Sequence, residues 1–288
     1  MVKCSICGSC ENWYLISNKL EIEEAKYWNG LREQNWYLCK TCGNAFPKPK
    51  ASKEAIEYKW NNMRQEKQFF EKRMNVLDKA ASKVFDYFKP YLKQRKNVLD
   101  VGCGFGNLAR ILQDNGFNVI GIETDATTKL QHLKYGLNTI IGSVEDIELE
   151  KKFDAIFLVY SIYFITDIKL ALFKLQTMLN DNGIICLVIA DFLSCENNEM
   201  PSSVHSFYPC KSSIYKLTEI TGLKVIHKKS TRGSIFYVIN KEKTEFTKLK
   251  FFQSEYIYLL YKTKSIRYFL IGQVIRKVSN IVKRISGK

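Results

Sequence analysis

Two sets of residues in this chain stand at spacings suited to chemistry. The first is a pair of CxxCG knuckles, Cys4-Ser5-Ile6-Cys7-Gly8 and Cys39-Lys40-Thr41-Cys42-Gly43. Each knuckle lets two thiolates grip one ion while the glycine relieves the turn behind them. Cys4, Cys7, Cys39 and Cys42 are therefore expected to form a closed tetrahedral site for Zn²⁺, which leaves no position for water and makes the metal structural. Cys10 competes with Cys7 but lacks the following glycine.

The second set lies in VLDVGCGFGNLARIL, residues 98–112, where an apolar run breaks into Gly102, Gly104 and Gly106 before a helical pattern begins. Glycine permits a tight turn and close backbone approach to a ligand, and the helix start behind it offers unpaired N–H groups. Asp100 precedes the first glycine by two residues, and an anion there favours a cationic ligand group over a pyrophosphate. Glu123 ends the next apolar run, NVIGIE, near the roughly 20-residue offset at which an acid accepts hydrogen bonds from ribose hydroxyls. GSVED (142–146) follows a third run, where Ser143 and the backbone of Val144 can meet a purine edge.

These residues need a sheet edge to converge on, and the pattern supplies one. Short Val/Ile/Leu-rich runs at 97–101, 118–122, 139–142, 153–160 and 183–190 alternate with helical stretches near 106–115, 126–135, 167–179 and 211–221. Two more strands are expected at 223–229 and 234–240. The alternation predicts an α/β domain with a doubly wound, mostly parallel sheet of Rossmann-like type, and ligands bind such sheets at the carboxyl ends of their strands. Residues 1–50 read as the zinc ribbon, closed by Pro47 and Pro49, which discourage continuation of helix or sheet. Residues 51–95 read as a helical connector stopped by Pro90, 96–242 as the α/β domain, and 243–288 as a basic tail.

The formal net charge is +15 with a pI near 9.3, which admits an anionic partner without choosing one. Residues 243–288 hold eleven Lys or Arg against Glu245 and Glu255. Within them Ile266, Phe269, Leu270, Val274, Val278, Ile281, Val282 and Ile285 share one helical stripe, suited either to an anionic membrane interface or to packing on the protein itself. Nine cysteines without an apolar N-terminal signal segment indicate a reducing, cytoplasmic compartment, with peripheral contact at the inner membrane face through the tail. The longest apolar run, near 184–190, is too short to span a bilayer. Cys103 reads as a small residue in a tight turn and Cys186 as strand packing, while Cys195 and Cys210 have no assigned part.

VLDVGCGFG, IGIE, GSVED and the following FDAIFLVYSIYFITD resemble the class I S-adenosylmethionine-dependent methyltransferases over about residues 96–240. The resemblance implies cofactor contacts from Asp100, Gly102, Gly104, Gly106, Glu123, Ser143, Val144 and the backbone near Tyr160. Many relatives carry Glu-His after the fourth strand, where this chain has Tyr163 and Phe164. Relatives acting on sugars and small molecules often place a histidine before an aromatic pair and a helix, which makes His205 in the loop after the fifth strand the candidate base. Asp191 and Tyr160 are weaker candidates for acceptor contact. The ribbon, the NAFPKP segment behind it and the aromatic-rich helix look like a group of bacterial methyltransferases of surface-polysaccharide and glycan biosynthesis. The expectation is methyl transfer, on oxygen, to a small molecule or a glycan, lipid-linked saccharides included. RNA methylation is the alternative, favoured by the charge and the ribbon.

Overall fold

The computed structural model describes residues 2–19, 33–56, 58, 67–191, 203–231, 233–242 and 257–259. The three N-terminal strands β1 (Asn12–Lys19), β2 (Glu33–Cys39) and β3 (Ala45–Lys48) form an antiparallel sheet in the order β1-β2-β3. After the helix α1 (Lys67–Phe88) come β4 (Asn97–Val101), α2 (Asn107–Asp114), β5 (Asn118–Glu123), α3 (Lys129–Lys134), β6 (Thr139–Ile141) and β7 (Phe153–Val159). The chain continues through α4 (Ile168–Met178), β8 (Leu179–Ala190), α5 (Lys211–Ile220), β9 (Lys224–Thr231) and β10 (Ser234–Asn240).

The seven strands β4–β10 form one sheet in the order β6-β5-β4-β7-β8-β10-β9. Strands β4 to β8 run parallel, and β10 inserts antiparallel between β8 and β9. The doubly wound α/β architecture expected from the alternation is thus present. Winding proceeds outward from β4 through β5 to β6, then restarts on the other side at β7. That reversal opens a crevice at the carboxyl ends of β4 and β7.

The apolar runs are continuous because the sheet is covered on both faces. Along β7, Ala155 and Phe157 face a core made with Val84, Phe85 and Phe88 of α1 and Leu108 and Leu112 of α2. Ile156 and Leu158 face the opposite core, with Leu172 and Leu175 of α4 and Ile214 and Leu217 of α5.

The N-terminal sheet joins this second core. Trp36, Leu38 and Phe46 are fully buried in it. Ala45 and Tyr208 exchange two backbone hydrogen bonds of 3.1 and 2.6 Å, and the Gln34 amide donates to the Ser203 carbonyl at 2.9 Å. Pro47 does not end the strand as its ring suggested: it pairs opposite Trp36 within β3. Proline is tolerated there because β3 is the edge strand of its sheet, and among the described residues its far side is bridged at Ala45 by Tyr208 and not at Pro47. Residues 257–259 of the tail pack on the ribbon too, with Ile257 in the shared core and the Tyr258 ring 5.0 Å from Trp13. The amphipathic stripe at 266–285, Cys195, and residues 192–202 of the loop after β8 lie outside the described residues. No described helix is long and apolar enough to cross a membrane.

Candidate active site

Asp100 is the fourth residue of β4, 2% exposed, and its Oδ2 has no hydrogen-bond partner among the described residues. Burial, with the neighbouring Glu123 charge adding to it, pushes this carboxyl up to about 7. A buried carboxylate is costly unless paired, so the position favours a cation arriving from the adjoining cavity.

The glycine loop then turns under tight constraint. The amides of Gly102 and Cys103 both donate to the Ile122 carbonyl, at 2.8 and 3.0 Å, which ties the loop to β5. Gly102 has φ +72°, and a Cβ there would lie 2.4 Å from the Ser161 Cβ. Gly106 has φ +83°, and a Cβ there would lie 2.3 Å from Leu137 Cδ1. Gly102→Ala therefore combines left-handed strain with a clash against a residue next to the backbone. The expected result is a melting temperature lower by roughly 5–10 °C together with weakened ligand binding, read by differential scanning fluorimetry with and without ligand.

Glu123 sits at the end of β5, 7% exposed. Its Oε2 accepts from the Gly104 amide at 2.7 Å, and its Oε1 accepts from the Asp125 amide at 2.9 Å. Backbone donors thus fix its orientation, leaving further lone pairs for hydroxyl donors. The carboxyl end of β6 follows, with the Gly142 amide donating to the Glu123 carbonyl at 2.9 Å and the Ser143 Oγ accepting from the Glu145 amide at 3.2 Å.

Tyr160 closes β7 with φ +54°, a conformation that non-glycine residues rarely adopt. Its hydroxyl lies 2.7 Å from Ser234 Oγ at the start of β10. Backbone strain of this kind concentrates at functional sites.

Two cavities meet here and share Gly102, Gly104, Val159 and Tyr160 as a common wall. The larger, about 320 Å³, is lined by Glu123, Ser143 and Val144 on one side and Phe164 and Thr166 on another. Lys53 bridges to Asp146 across its wall, with N–O distances of 2.7 and 2.8 Å. The smaller, about 220 Å³, contains Asp100 and is roofed by Arg73, Leu77 and Ala81 of α1.

The expected cofactor residues Asp100, Gly102, Gly104, Glu123, Ser143, Val144 and Tyr160 all line one cavity or the other, and Gly106 caps α2 behind them. His205 stands one ring back. Its imidazole packs 5.1 Å from Phe164, 5.3 Å from Tyr163 and 5.4 Å from Tyr208, and desolvation lowers it to about 3. Tyr163 is buried, and its hydroxyl accepts from the Ala190 amide. Arg73, Lys53 and Phe164 were not expected from the motifs. Arg73 and Lys53 are cations in Lys- and Glu-rich segments where nothing local separates a pocket residue from a solvated one.

The four knuckle thiols converge as their spacing implied. All four sulfurs lie within 4.8 Å of one another, with Cys4–Cys42 at 3.7 Å and Cys7–Cys39 at 3.4 Å. Four ligands about 2.3 Å from one zinc would stand about 3.8 Å apart, so the cluster fits that ion. Gly8 and Gly43 both adopt positive φ, at +74° and +73°, the turn each knuckle requires. Cys10 is exposed and outside the cluster.

A family model for the methyltransferase domain matches residues 70–228, more than half of the chain. The chain belongs to the S-adenosylmethionine-dependent methyltransferases. The methyltransferase is 22% identical over 211 residues to a ubiquinone biosynthesis O-methyltransferase of Rickettsia typhi, covering 65% of this chain and 77% of the relative. It is 25% identical over 138 residues to an (S)-coclaurine N-methyltransferase of Papaver somniferum, covering 43% and 39%. Among solved structures, an S-adenosylmethionine-dependent methyltransferase of Clostridium acetobutylicum aligns with a TM-score of 0.49 at 14% identity, over 60% of this chain and 99% of that one.

Proposed function

We propose that the methyltransferase transfers its methyl group to an oxygen of a small-molecule or glycan acceptor, and that Zn²⁺ occupies the four-cysteine cluster as a structural ion. The observation that carries the cofactor half is the Asp100 side chain, buried beside the glycine loop with its Oδ2 lacking a hydrogen-bond partner among the described residues. It would receive the cofactor's amino group. Glu123 would take the ribose hydroxyls, Ser143 and Val144 the adenine edge, and Gly102 and Gly104 the close backbone approach. Gly106 would keep the turn into α2, and Tyr160 would wall the point where the two cavities join. Arg73, in the wall of the Asp100 cavity, would pair with the carboxylate of the same amino-acid group.

When bound, S-adenosylmethionine supplies a methyl group on an already electrophilic sulfonium. The protein's task is to align the acceptor and keep water out. The Phe164 ring, backed by Tyr163, His205 and Tyr208, offers an aromatic wall suited to a sugar or aromatic ring. The two relatives compared above carry names of small-molecule methyltransferases, one acting on oxygen and one on nitrogen, which supports the acceptor's size class rather than its atom.

A hydroxyl acceptor needs a base. His205 is the proposed one, its imidazole packed 5.1 Å behind Phe164 and kept uncharged because desolvation lowers it to about 3. Desolvation also weakens it, which places its expected contribution at the low end for a general base. His205→Gln should lower kcat about 100-fold and leave cofactor affinity unchanged. Unchanged turnover would remove His205 from the chemistry.

Radiolabelled S-adenosylmethionine incubated with fractionated glycan, lipid and RNA pools tests the acceptor class. Label in a glycan or small-molecule fraction is the expected outcome, and label confined to RNA would replace this reading by the nucleic-acid alternative.

A further inference from the structure

We infer that His132 is a positioning residue that holds the glycine loop in its ligand-binding shape, a role no motif assigns to it. The inference rests on the loop being the cofactor's seat.

His132 lies in the last turn of α3 and is 1% exposed. Its Nε2 stands 2.7 Å from the Gly104 carbonyl oxygen. A carbonyl only accepts, so Nε2 carries the proton and donates it. Nδ1 is buried and has no hydrogen-bond partner among the described residues. The ring also fills the space beneath the loop, with its Cδ2 only 3.3 Å from where a Cβ on Gly106 would stand.

The consequence follows from what Gly104 lacks. It has φ +58°, and a Cβ built there would touch nothing within 4 Å, so no side-chain packing specifies where this residue sits. Two hydrogen bonds hold it instead. Its amide is taken by Glu123 from β5, and its carbonyl by His132 from α3. His132 lines neither cavity, so the carbonyl it binds is engaged from the interior side. Without that donor the carbonyl oxygen is free to swing toward the ligand, where its negative end would oppose the cofactor's carboxylate.

Two measurements test this. Long-range imidazole ¹⁵N spectra of the ligand-free protein should show His132 as the Nε2–H tautomer. Finding the Nδ1–H form would overturn the inference whether or not the cofactor binds. Calorimetry with S-adenosylhomocysteine on His132→Phe and His132→Gln supplies the functional half. Phe fills the volume without a donor, whereas the Gln amide can still reach a carbonyl. Loss of one hydrogen bond should raise the Kd of His132→Phe roughly 10-fold, with kcat at saturating cofactor unchanged, and His132→Gln should recover most of the affinity. Equal losses in both variants, tracking a fall in melting temperature, would reduce His132 to packing. An unaltered Kd in His132→Phe would end the proposal. If the native protein itself gives no binding heat, the cofactor reading fails, while the tautomer result still decides the His132 contact.

Discussion

Binding of S-adenosylhomocysteine will tighten about tenfold per pH unit as the pH rises toward 7, and will level off above it. The cause is Asp100, which burial and Glu123 push up to about 7 in the ligand-free protein. Below that pH the carboxyl is protonated and must release its proton before it can pair with the ligand's ammonium group, so each bound ligand costs one proton. The same shift sets a stability slope of opposite sense. The unfolded chain ionises Asp100 near 3.9, so between about 4 and 7 the folded state holds more protons than the unfolded one. Stability from this group therefore falls as pH rises through that window, and none of the slope remains above it.

Asp100→Asn removes both dependences. It keeps a polar acceptor but loses the charge, so affinity at pH 8 should drop about 10- to 100-fold, the value of a hydrogen bond between charged groups. Calorimetry across the pH range, paired with thermal melts of the same samples, reads both effects. A pH-independent Kd in the native protein, or an unchanged slope in Asp100→Asn, would show that Asp100 does not meet the ligand's amino group.

The second large effect is expected at the four-cysteine cluster, if the zinc proposed for it is removed. Native mass spectrometry should find one zinc per chain, and Cys39→Ser should abolish it. Structural zinc contributes roughly 10–16 kcal/mol in isolated finger peptides, so residues 1–50 are not expected to stay folded without it. The damage should spread, because the ribbon is built into the catalytic domain's core. The Ser212 hydroxyl donates to the Cys42 carbonyl at 2.9 Å, at the first turn of α5. Ala45 holds Tyr208, and the Ser206 amide donates to the Tyr163 carbonyl at 2.7 Å. Losing the knuckle therefore releases the strand of chain that carries His205 and backs Phe164. The expected pattern is a large fall in melting temperature and an acceptor KM that rises more than the cofactor Kd. An apo protein that melts at the holo temperature would refute a structural ion in this cluster.

The features legible in the amino-acid order were those carried by neighbours along the chain. CxxCG needs only five residues to place two thiols on a left-handed glycine. VLDVGCGFG contains its own strand, its turn and its acid. Period and punctuation located every strand of the large sheet to within a few residues, and burial on both faces forces the continuous apolar runs of the inner strands β4, β7, β8 and β10. Those signals also sufficed to put Asp100, Glu123 and Ser143 at neighbouring strand ends.

Tertiary structure decided what depends on residues far apart. Nothing in SIFYVIN says that β10 runs antiparallel between β8 and β9, because an apolar strand buried on both sides reads the same in either direction. Lys53 meets Asp146 across 93 residues and Gln34 meets Ser203 across 169, so neither partner marks the other in sequence. His205 looked like a loop histidine facing the acceptor, and its place one ring behind Phe164 emerged only once the ribbon had packed against the chain that holds it. Local order specifies turns, ligand spacings and burial period because those energies act within a few residues. Which charged or aromatic side chain reaches the cavity depends on how separately formed elements dock, and the hydrophobic effect that docks them has no direction and leaves no local mark.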